Sequence, residues 1–320
     1  MILRRNRKST TYLHLMGGLG NQLFQIAAGL SFSLKSGNAL VIDESFGIFR
    51  KNIVGEADVH GYGVNKYYSF FRTSKQNRLL SRSIGLLIRI SLSTSKGNLN
   101  KIAKCLLSTV NSLYLSKYLG TRVKIWSANV LGYEEISTDN ISKYLLGYFQ
   151  TYKFASEDQV KLILNRLSIS DLLVTSHREI YLATKTLIVH IRLGDYKALP
   201  NFGLLSKNYY DEAITLMMTK FEFNNICVYS DSIDDAKEFI PHRYLKLCHW
   251  MDSKNESAAV TLEKMRCGAG YIIANSSFSW WGAFLSHTIN APIIAPKPWF
   301  AGMDEPNELI PPSWIRINRN

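Results

Sequence analysis

The sequence is poor in cysteine, with four in 320 residues and no C-x-x-C pair: Cys105, Cys227, Cys248 and Cys267. This scarcity excludes a disulfide scaffold and a common type of zinc site, and it favours the reduced cytosol. No run of 18 or more apolar residues occurs, which excludes a transmembrane helix. The basic start of the chain is followed by no apolar run, so it is not typical of a secretory signal. We therefore expect a cytoplasmic protein.

The chain also lacks any Asp-x-Asp pair, the compact acidic clamp with which many enzymes hold a divalent metal beside a diphosphate. The nearest acidic cluster is Asp231, Asp234 and Asp235, whose spacing is too wide for such a clamp. A diphosphate would instead be neutralised by arginine and by helix amides. We predict that no metal or other cofactor is required.

Acidic residues are missing from the whole segment 59–133, which contains 12 of the 38 Lys and Arg residues. This segment holds nearly all of the net charge of +13, leaving +1 for the rest of the chain. Apolar residues recur at helical spacing around 80–88 and again over 99–114, with a turn-like run at 95–98. The pattern predicts a basic helical hairpin inserted in the first domain.

Three interpretations of this basic hairpin stay open. The first is a packed pair of helices with a solvated basic face. The second is peripheral contact with an anionic membrane, because each Lys or Arg near such a surface contributes roughly 1 kcal/mol of attraction. This hypothesis assigns the contact to Arg72, Arg78, Arg82, Arg89, Lys101 and Lys104. The third is nucleic-acid binding, but no nucleic-acid motif accompanies the charge, so we expect no such partner.

Apolar runs and helical periodicity alternate along the remaining chain. Strands are predicted at 12–15 and 39–42, with a helix over 21–34 between them. The second half predicts strands at 187–191, 226–229, 244–247, 271–274 and, last, 292–295. These runs are continuously apolar, which is typical of parallel strands buried on both faces. We predict an α/β protein of two doubly wound domains, residues 1–155 and 156–320.

The first motif is G-G-L-G-N-Q-L-F-Q over residues 17–25, between a predicted strand and a helix. Gly18 and Gly20 let the backbone approach a ligand closely, and a helix N-terminus favours an anion. A tight structural turn would explain the glycines alone. It would not explain Asn21 at the helix start, where a polar side chain can reach a ligand.

The second motif is H-I-R-L-G-D-Y over residues 190–196, at the carboxyl end of a predicted parallel strand. Open α/β sheets bind their ligands at this edge. Arg192 could hold a phosphate and offset charge on a departing diphosphate. Asp195 could accept a proton from an attacking hydroxyl. The alternative is that Arg192 and Asp195 only pair with each other.

The third motif is N-S-S-F-S-W-W-G over residues 275–282, where a strand runs into a serine-rich turn and a helix. Serines at a helix N-terminus cap it and leave amides available for phosphate oxygens. Trp280 and Trp281 are explained as core residues. The preceding run, Asn275 to Phe278, is harder to explain that way.

The three motifs, in this order over nearly the whole chain, resemble those of the bacterial α-1,2-fucosyltransferases. The resemblance implies a GT-B-type architecture of two Rossmann-like domains facing across a cleft. It implies metal-independent, inverting transfer of L-fucose from GDP-L-fucose to the 2-hydroxyl of a sugar, usually galactose. The acceptor would be a glycan, free or lipid-linked, in O-antigen or other surface-polysaccharide synthesis.

The resemblance also implies roles for particular residues. Arg192, Asp195 and Asn21 would be catalytic. The donor-binding set would be Gly18, Gly20, Asn21, His190, Arg192, Gly194, Asp231, Asn275, Ser276, Ser277 and Phe278. The family usually has a second arginine where this chain has Leu193, so all arginine chemistry in the motif would belong to Arg192. Two alternatives remain: a transferase of the same fold that uses another GDP-sugar, and a non-catalytic basic protein that binds membrane or nucleic acid.

Overall fold

The structure is a computed structural model that describes residues 9–44, 58–64, 68–71, 78–91, 98–139, 141–167, 180–181, 184–252 and 255–320. It has two compact units. The first comprises Met1–Leu164 and Pro306–Leu309, and the second Asn165–Glu305 and Ile310–Asn320. The division falls between Leu164 and Asn165, nine residues after the predicted boundary of 155/156.

A short return segment, Pro306–Leu309, belongs to the first unit although it comes late in the chain. The carbonyl of Glu308 accepts hydrogen bonds from Thr151 Oγ1 at 2.8 Å and from the Tyr152 amide at 2.9 Å. These bonds depend on a loop far away in sequence. No local pattern predicts such a return.

The first unit contains five described strands, all parallel, in the order β3-β2-β1-β5-β4. They are β1 (Thr10–His14), β2 (Ala39–Asp43), β3 (Ser69–Phe71), β4 (Val123–Ser127) and β5 (Ser142–Leu146). Its described helices are α1 (Leu19–Ser36), α2 (Arg78–Ser91), α3 (Asn98–Leu119) and α4 (Tyr152–Ala155), followed by α5 (Asp158–Arg166), which ends in the second unit. The predicted opening of strand, helix and strand is confirmed.

The predicted helical hairpin is confirmed as α2 and α3, and most of the predicted turn between them lies outside the described residues. One face of α3 packs on β4, with Leu115 fully buried. Two serines of α3 extend this contact by hydrogen bonding: Ser112 Oγ accepts from the amide of Ile125 at 2.9 Å, and Ser116 Oγ from that of Val123 at 2.8 Å.

The second unit contains six described strands, all parallel, in the order β11-β10-β9-β6-β7-β8. They are β6 (Thr186–Ile191), β7 (Asn225–Ser230), β8 (Cys248–Met251), β9 (Gly270–Ile272), β10 (Ile293–Lys297) and β11 (Ile315–Asn318). The described helices are α6 (Lys207–Lys220), α7 (Ile233–Ala236), α8 (Ala258–Arg266) and α9 (Ser277–Phe284). This strand order is that of dinucleotide-binding domains, so the predicted α/β, Rossmann-like class is confirmed.

Two predictions for this sheet are wrong. Residues 244–247, predicted as a strand, lie in the 3-10 helix His242–Leu247, and the strand is the next segment, β8. Pro241 precedes this helix with a fixed φ, and Tyr244, Leu245 and Leu247 pack on the core from its turns. The strand predicted as the last, β10, is followed by β11 at the sheet edge.

β11 was missed because its residues alternate apolar and polar over only four positions. Its Arg316 donates a hydrogen bond to the carbonyl of Pro296 at 2.6 Å and pairs with Glu305.

Among the helices of the described segments, none has the length and apolar character needed to cross a bilayer.

Candidate functional site

The three sequence motifs follow central strands of the two sheets. In the second unit the chain order reverses between β6 and β9, and the second and third motifs follow those two strands. Ligands of open α/β sheets bind where the strands beside such a reversal end. In the first unit the order of the described strands descends on both sides of the β1–β5 pair, and the first motif follows β1.

Arg192 lies between two carboxylates after β6. Its Nε and Nη2 both donate to Oδ1 of Asp195, at 3.1 and 2.7 Å. Its Nη1 lies 3.2 Å from Oδ2 of Asp231. The pairing considered from the sequence is therefore present, and it includes a second partner from the end of β7. The Arg192 side chain remains about a third exposed, so it is accessible to an anionic ligand.

Asp231 holds the loop as well as the arginine. Its Oδ1 accepts a hydrogen bond from the Leu193 amide at 2.9 Å. A side chain at Gly194 would place its Cβ 2.5 Å from Asp231 Oδ2, so only glycine fits there without displacing the carboxylate. Asp231 and Gly194, predicted to bind donor, thus contact the arginine loop directly.

His190 is the last polar side chain of β6 before this loop, and it is buried. Burial, reinforced by the nearby Arg192 charge, lowers the pKa of His190 to about 3. The ring is therefore neutral at physiological pH. Its Nδ1 is buried and has no hydrogen-bond partner in the structure, and its ring centroid lies 6.3 Å from that of Phe278.

Tyr196 is the last residue of the second motif, and the sequence predicted no role for it in the site. The Arg192 guanidinium carbon lies 5.5 Å from the centroid of its ring, within cation–π range. Its hydroxyl donates to the carbonyl of Asn275 at 3.1 Å, and burial raises the pKa of Tyr196 to about 12. Tyr196 therefore links the second motif to the third. Its place beside Arg192 in the motif was the available signal.

The third motif forms the start of α9. The Asn275 side chain is buried, and its Nδ2 donates to the carbonyls of Phe202 and Gly203, at 2.9 and 3.1 Å. Its Oδ1 is also buried and has no partner in the structure. Ser276 caps α9 by accepting from the Phe278 amide at 3.3 Å.

The remaining residues of this motif divide between helix start and core. Ser277 and Phe278 are half-buried in the first turn of α9. Trp280 and Trp281 are fully buried, as their interpretation as core residues predicted.

The first motif forms a tight loop between β1 and α1. Gly17 has a φ of +77°, and a Cβ there would lie 2.6 Å from Nδ2 of Asn21. Asn21 is half-buried and accepts a hydrogen bond on Oδ1 from Gln150 Nε2 at 2.9 Å. Gln150 follows β5, which pairs with β1, so two neighbouring strands contribute to this place. No pattern in the sequence pointed to Gln150.

Two glutamines of the motif maintain this loop. Gln25 is buried and bonds both backbone groups of Met16, accepting at 2.9 Å and donating at 3.1 Å. Gln22 donates to the carbonyl of Gly17 at 2.8 Å and accepts from the Val59 amide at 3.2 Å. The side-chain amides of Gln22 and Gln25 hold the backbone of the loop, which explains why the motif continues into the helix beyond its glycines.

Asp58 gives the loop a feature that the sequence did not suggest. Its carboxyl accepts a hydrogen bond from the amide of Leu19, the first residue of α1. Although part of the residue is exposed, burial of the carboxyl is the larger influence and raises the pKa of Asp58. The helix start expected to favour an anion therefore already has a carboxyl group beside it. Gly18 is the N-cap of α1, and Gly20 lies in its first turn.

The structure thus brings His190, Arg192, Gly194, Asp195 and Asp231 together with the start of α9 in one unit, and Gly18, Gly20 and Asn21 together in the other. Within the described ranges no group of three or more His, Cys, Asp and Glu residues could hold a metal ion. The metal-independence of the reaction stays a prediction, since only activity measurements test it.

Comparison with known proteins identifies a family. The sequence model described as "Glycosyl transferase family 11" matches residues 12–318. The chain is 27% identical to an α-1,2-colitosyltransferase of Escherichia coli, over 97% of this chain and all of that protein. It is also 27% identical to the O-antigen biosynthesis glycosyltransferase WbnK of Escherichia coli, over 96% of this chain and all of that protein.

Among solved structures, a similar one is the NodZ α-1,6-fucosyltransferase soaked with GDP-fucose. It has 13% identity and a TM-score of 0.47, over 91% of this chain and 96% of that chain.

Proposed function

Because the chain belongs to glycosyl transferase family 11, we propose that it transfers L-fucose from GDP-L-fucose to the 2-hydroxyl of a glycan residue, with inversion at the anomeric carbon. Galactose is the proposed acceptor residue. The observation that carries the proposal is the accessible Arg192 guanidinium at the carboxyl end of β6, beside the start of α9. A cation and a helix N-terminus together suit a diphosphate leaving group.

The donor diphosphate would bind by replacing one partner of Arg192. Asp195 is the more exposed of the two carboxylates and belongs to the short 3-10 turn Asp195–Ala198. Asp231 is less exposed and is also bonded to the loop amide of Leu193. The diphosphate would therefore displace Asp195 and leave Asp231 in place. Asp231 is then a positioning residue, which keeps the guanidinium directed at the phosphate.

This exchange would release the base that the reaction needs. In the structure Arg192 donates two hydrogen bonds to Oδ1 of Asp195, so the carboxylate is engaged by the guanidinium. Once the diphosphate takes the guanidinium, Asp195 is a free carboxylate next to the leaving group. We assign it the proton of the acceptor hydroxyl as that oxygen bonds to C1 and the C1–phosphate oxygen bond breaks. The neutral His190 ring at the end of β6 would form a hydrogen bond with GDP-L-fucose, either as donor or as acceptor of the proton.

The glycine loop of the first unit would bind sugar hydroxyls and not phosphate. Its polar groups are the amides of Asn21 and Gln150, and the carboxyl of Asp58 opposes a second anion at the start of α1. Hydroxyl groups can donate to both kinds of group. Asn21 is therefore proposed to orient the reacting sugar.

A second candidate is transfer of a different sugar from its GDP-linked form. A relative that is 27% identical over its whole length is an α-1,2-colitosyltransferase. Colitose differs from L-fucose by lacking the 3-hydroxyl. Discrimination between these donors depends on whether a buried polar group of the site is left unpaired, which can be worth several orders of magnitude in rate.

We further propose that the acceptor is a lipid-linked glycan of surface-polysaccharide synthesis, used on the cytoplasmic side of the membrane. The O-antigen biosynthesis relative supports this acceptor class. The reaction is proposed to need no metal, because Arg192 and the α9 amides can neutralise the diphosphate. Transfer activity is expected to survive excess EDTA. Complete loss that Mg²⁺ or Mn²⁺ restores would require a different phosphate site.

The experiment that tests the function is turnover with a panel of donors: GDP-L-fucose, GDP-colitose, GDP-mannose and UDP-galactose, with galactosides as acceptors. The expected result is release of GDP from GDP-L-fucose and an α-1,2-linked product. Preference for GDP-colitose would select the second candidate. Failure to bind or turn over any GDP-sugar would favour the non-catalytic binding protein.

A further inference from the structure

Helix α3 presents an apolar ridge to solvent. The ridge consists of Ile102, Leu106, Val110 and Leu113, which are between 57% and 69% exposed. These residues recur every three or four positions, so they share one face of the helix. The opposite face packs into the unit, with Asn111 and Leu115 buried. A surface helix normally turns polar residues outwards, so the apolar ridge needs an explanation.

The surroundings of the ridge are basic. Lys101 and Lys117 are exposed near the two ends of α3, and Arg122 is exposed just beyond it. The sequence has no Asp or Glu between Val59 and Tyr133. An apolar ridge surrounded by positive charge suits a partner that offers both hydrocarbon and negative charge.

The structure also corrects the set of basic residues expected to contact a membrane. Lys104 points inwards: its Nζ donates to the carbonyl of Ser127 at 3.0 Å and to Asn129, and burial lowers the pKa of its ammonium group. Of the other residues expected to take part, only Lys101 has a described side chain. Arg72 and the side chains of Arg78, Arg82 and Arg89 lie outside the described part of the chain.

We propose that the α3 ridge is a docking surface for an anionic lipid bilayer, on which α3 lies flat with Ile102, Leu106, Val110 and Leu113 inserted among the headgroups. Exposed Tyr114 and Tyr118 flank the ridge with amphipathic rings that suit the membrane–water interface. A second copy of this chain is disfavoured as the occupant, because docking ridge to ridge would bring two strongly basic segments together. A nucleic acid would leave the apolar ridge without a partner.

The test is vesicle flotation of the full chain. We expect binding to vesicles with about a third of phosphatidylglycerol and little binding to pure phosphatidylcholine vesicles. Raising the salt from about 0.1 M to about 1 M should weaken binding severalfold, as the Debye length falls from about 10 to about 3 Å. Leu106→Ser/Leu113→Ser should reduce binding at least tenfold, by removing inserted hydrocarbon. Lys101→Gln/Lys117→Gln should reduce it by about fivefold per lysine.

The matched control is Leu162→Ser/Ile289→Ser, which removes two exposed apolar side chains from other surfaces and should leave binding unchanged. Thermal unfolding verifies that the variants are folded. If Leu106→Ser/Leu113→Ser does not fold, Lys101→Gln/Lys117→Gln still tests the proposal. No binding, equal binding to both vesicle types, or equal loss in the control would overturn the proposal. So would a wild-type dimer that Leu106→Ser/Leu113→Ser dissociates. The assay contains no donor, so its result is independent of the proposed reaction.

Discussion

The loop after β6 and the loop after β1 hold corresponding places in their sheets but differ in chemistry. The β6 loop places the cation of Arg192 between the carboxylates of Asp195 and Asp231. The β1 loop is built from neutral amides, such as Asn21 bonded to Gln150, with the carboxyl of Asp58 at its helix start. The topology therefore decides where a ligand can bind, whereas the side chains decide which ligand binds.

Under the proposed function, this difference gives the two units separate tasks. A diphosphate needs a positive group that can exchange its partners, and the β6 loop offers one in Arg192. Sugar hydroxyls need donors and acceptors in fixed directions, and the β1 loop holds its amides in place by mutual hydrogen bonds. If this division is correct, substitutions in the β6 loop should act mainly on phosphate chemistry. Substitutions in the β1 loop should act mainly on sugar positioning.

The largest expected effect comes from removing the cation. Arg192→Ala should lower the turnover number by at least ~10²-fold, because no other arginine of the motif can stabilise charge on the leaving diphosphate. The measurement is steady-state transfer together with GDP binding, which should also weaken. Arg243→Ala is the control, since Arg243 is an exposed arginine of the same unit that pairs with Asp211. Activity of a folded Arg192→Ala variant within a few-fold of wild type would remove the assigned role.

The next effect separates the two carboxylates of the β6 loop. Asp195→Asn should lower the turnover number by about 10²-fold through loss of the base, while GDP binds at least as tightly because Arg192 loses a competitor. Asp231→Asn is the comparison, and it should weaken GDP binding because the guanidinium loses the partner that positions it. Near-normal transfer by Asp195→Asn with normal GDP affinity would assign the proton to a phosphate oxygen of the leaving group.

The sequence predicted the parts of this site that lie within short motifs. Strand, glycine turn and helix follow from local periodicity, so the loops that carry Asn21 and Arg192 were placed correctly. The contacts of Asp231 with Arg192 and of Gln150 with Asn21 join residues 39 and 129 positions apart. Only the folded sheet brings such residues together, so no spacing rule finds them.

The predictions for the fold failed for the same reason, because contacts with distant segments decide the structure of some elements. The exposed face of α3 has the 3.6-residue periodicity of a packed helix, and the sequence alone does not tell which apolar positions face inwards. The short strand β11 and the 3-10 helix His242–Leu247 depend on neighbours from distant segments. Tertiary packing overrides local preference most easily in such short elements.

A third prediction concerns the neutral histidine below the charged loop. The ordinary pKa of histidine is about 6.5, whereas burial lowers that of His190 to about 3. Between these values the unfolded chain binds more protons, so stability falls as the pH is lowered. From pH 7.5 to pH 5 this one group should cost about 2 kcal/mol of unfolding free energy.

Urea unfolding at the two pH values measures this effect, with His190→Gln as the reference because glutamine does not titrate. The wild type should lose about 2 kcal/mol more than the variant over this pH range. Equal losses would mean that His190 is solvated or charge-paired in the folded protein. The β6 loop would then have a second titratable cation, and its contrast with the amide loop would become sharper.

The smallest effect is expected in the amide loop. Asn21→Ala removes one neutral hydrogen-bonding group, so it should lower kcat/KM by about tenfold, equivalent to about 1.4 kcal/mol. GDP affinity should not change, because the division of tasks gives this loop no phosphate. Gln150→Ala is the partner variant: Gln150 donates to Asn21, so the two defects should share a common part and should add to less than their sum in the double variant. Weakened GDP binding by Asn21→Ala, on the scale of Arg192→Ala, would show that both loops bind the diphosphate and that their chemical difference does not separate their tasks.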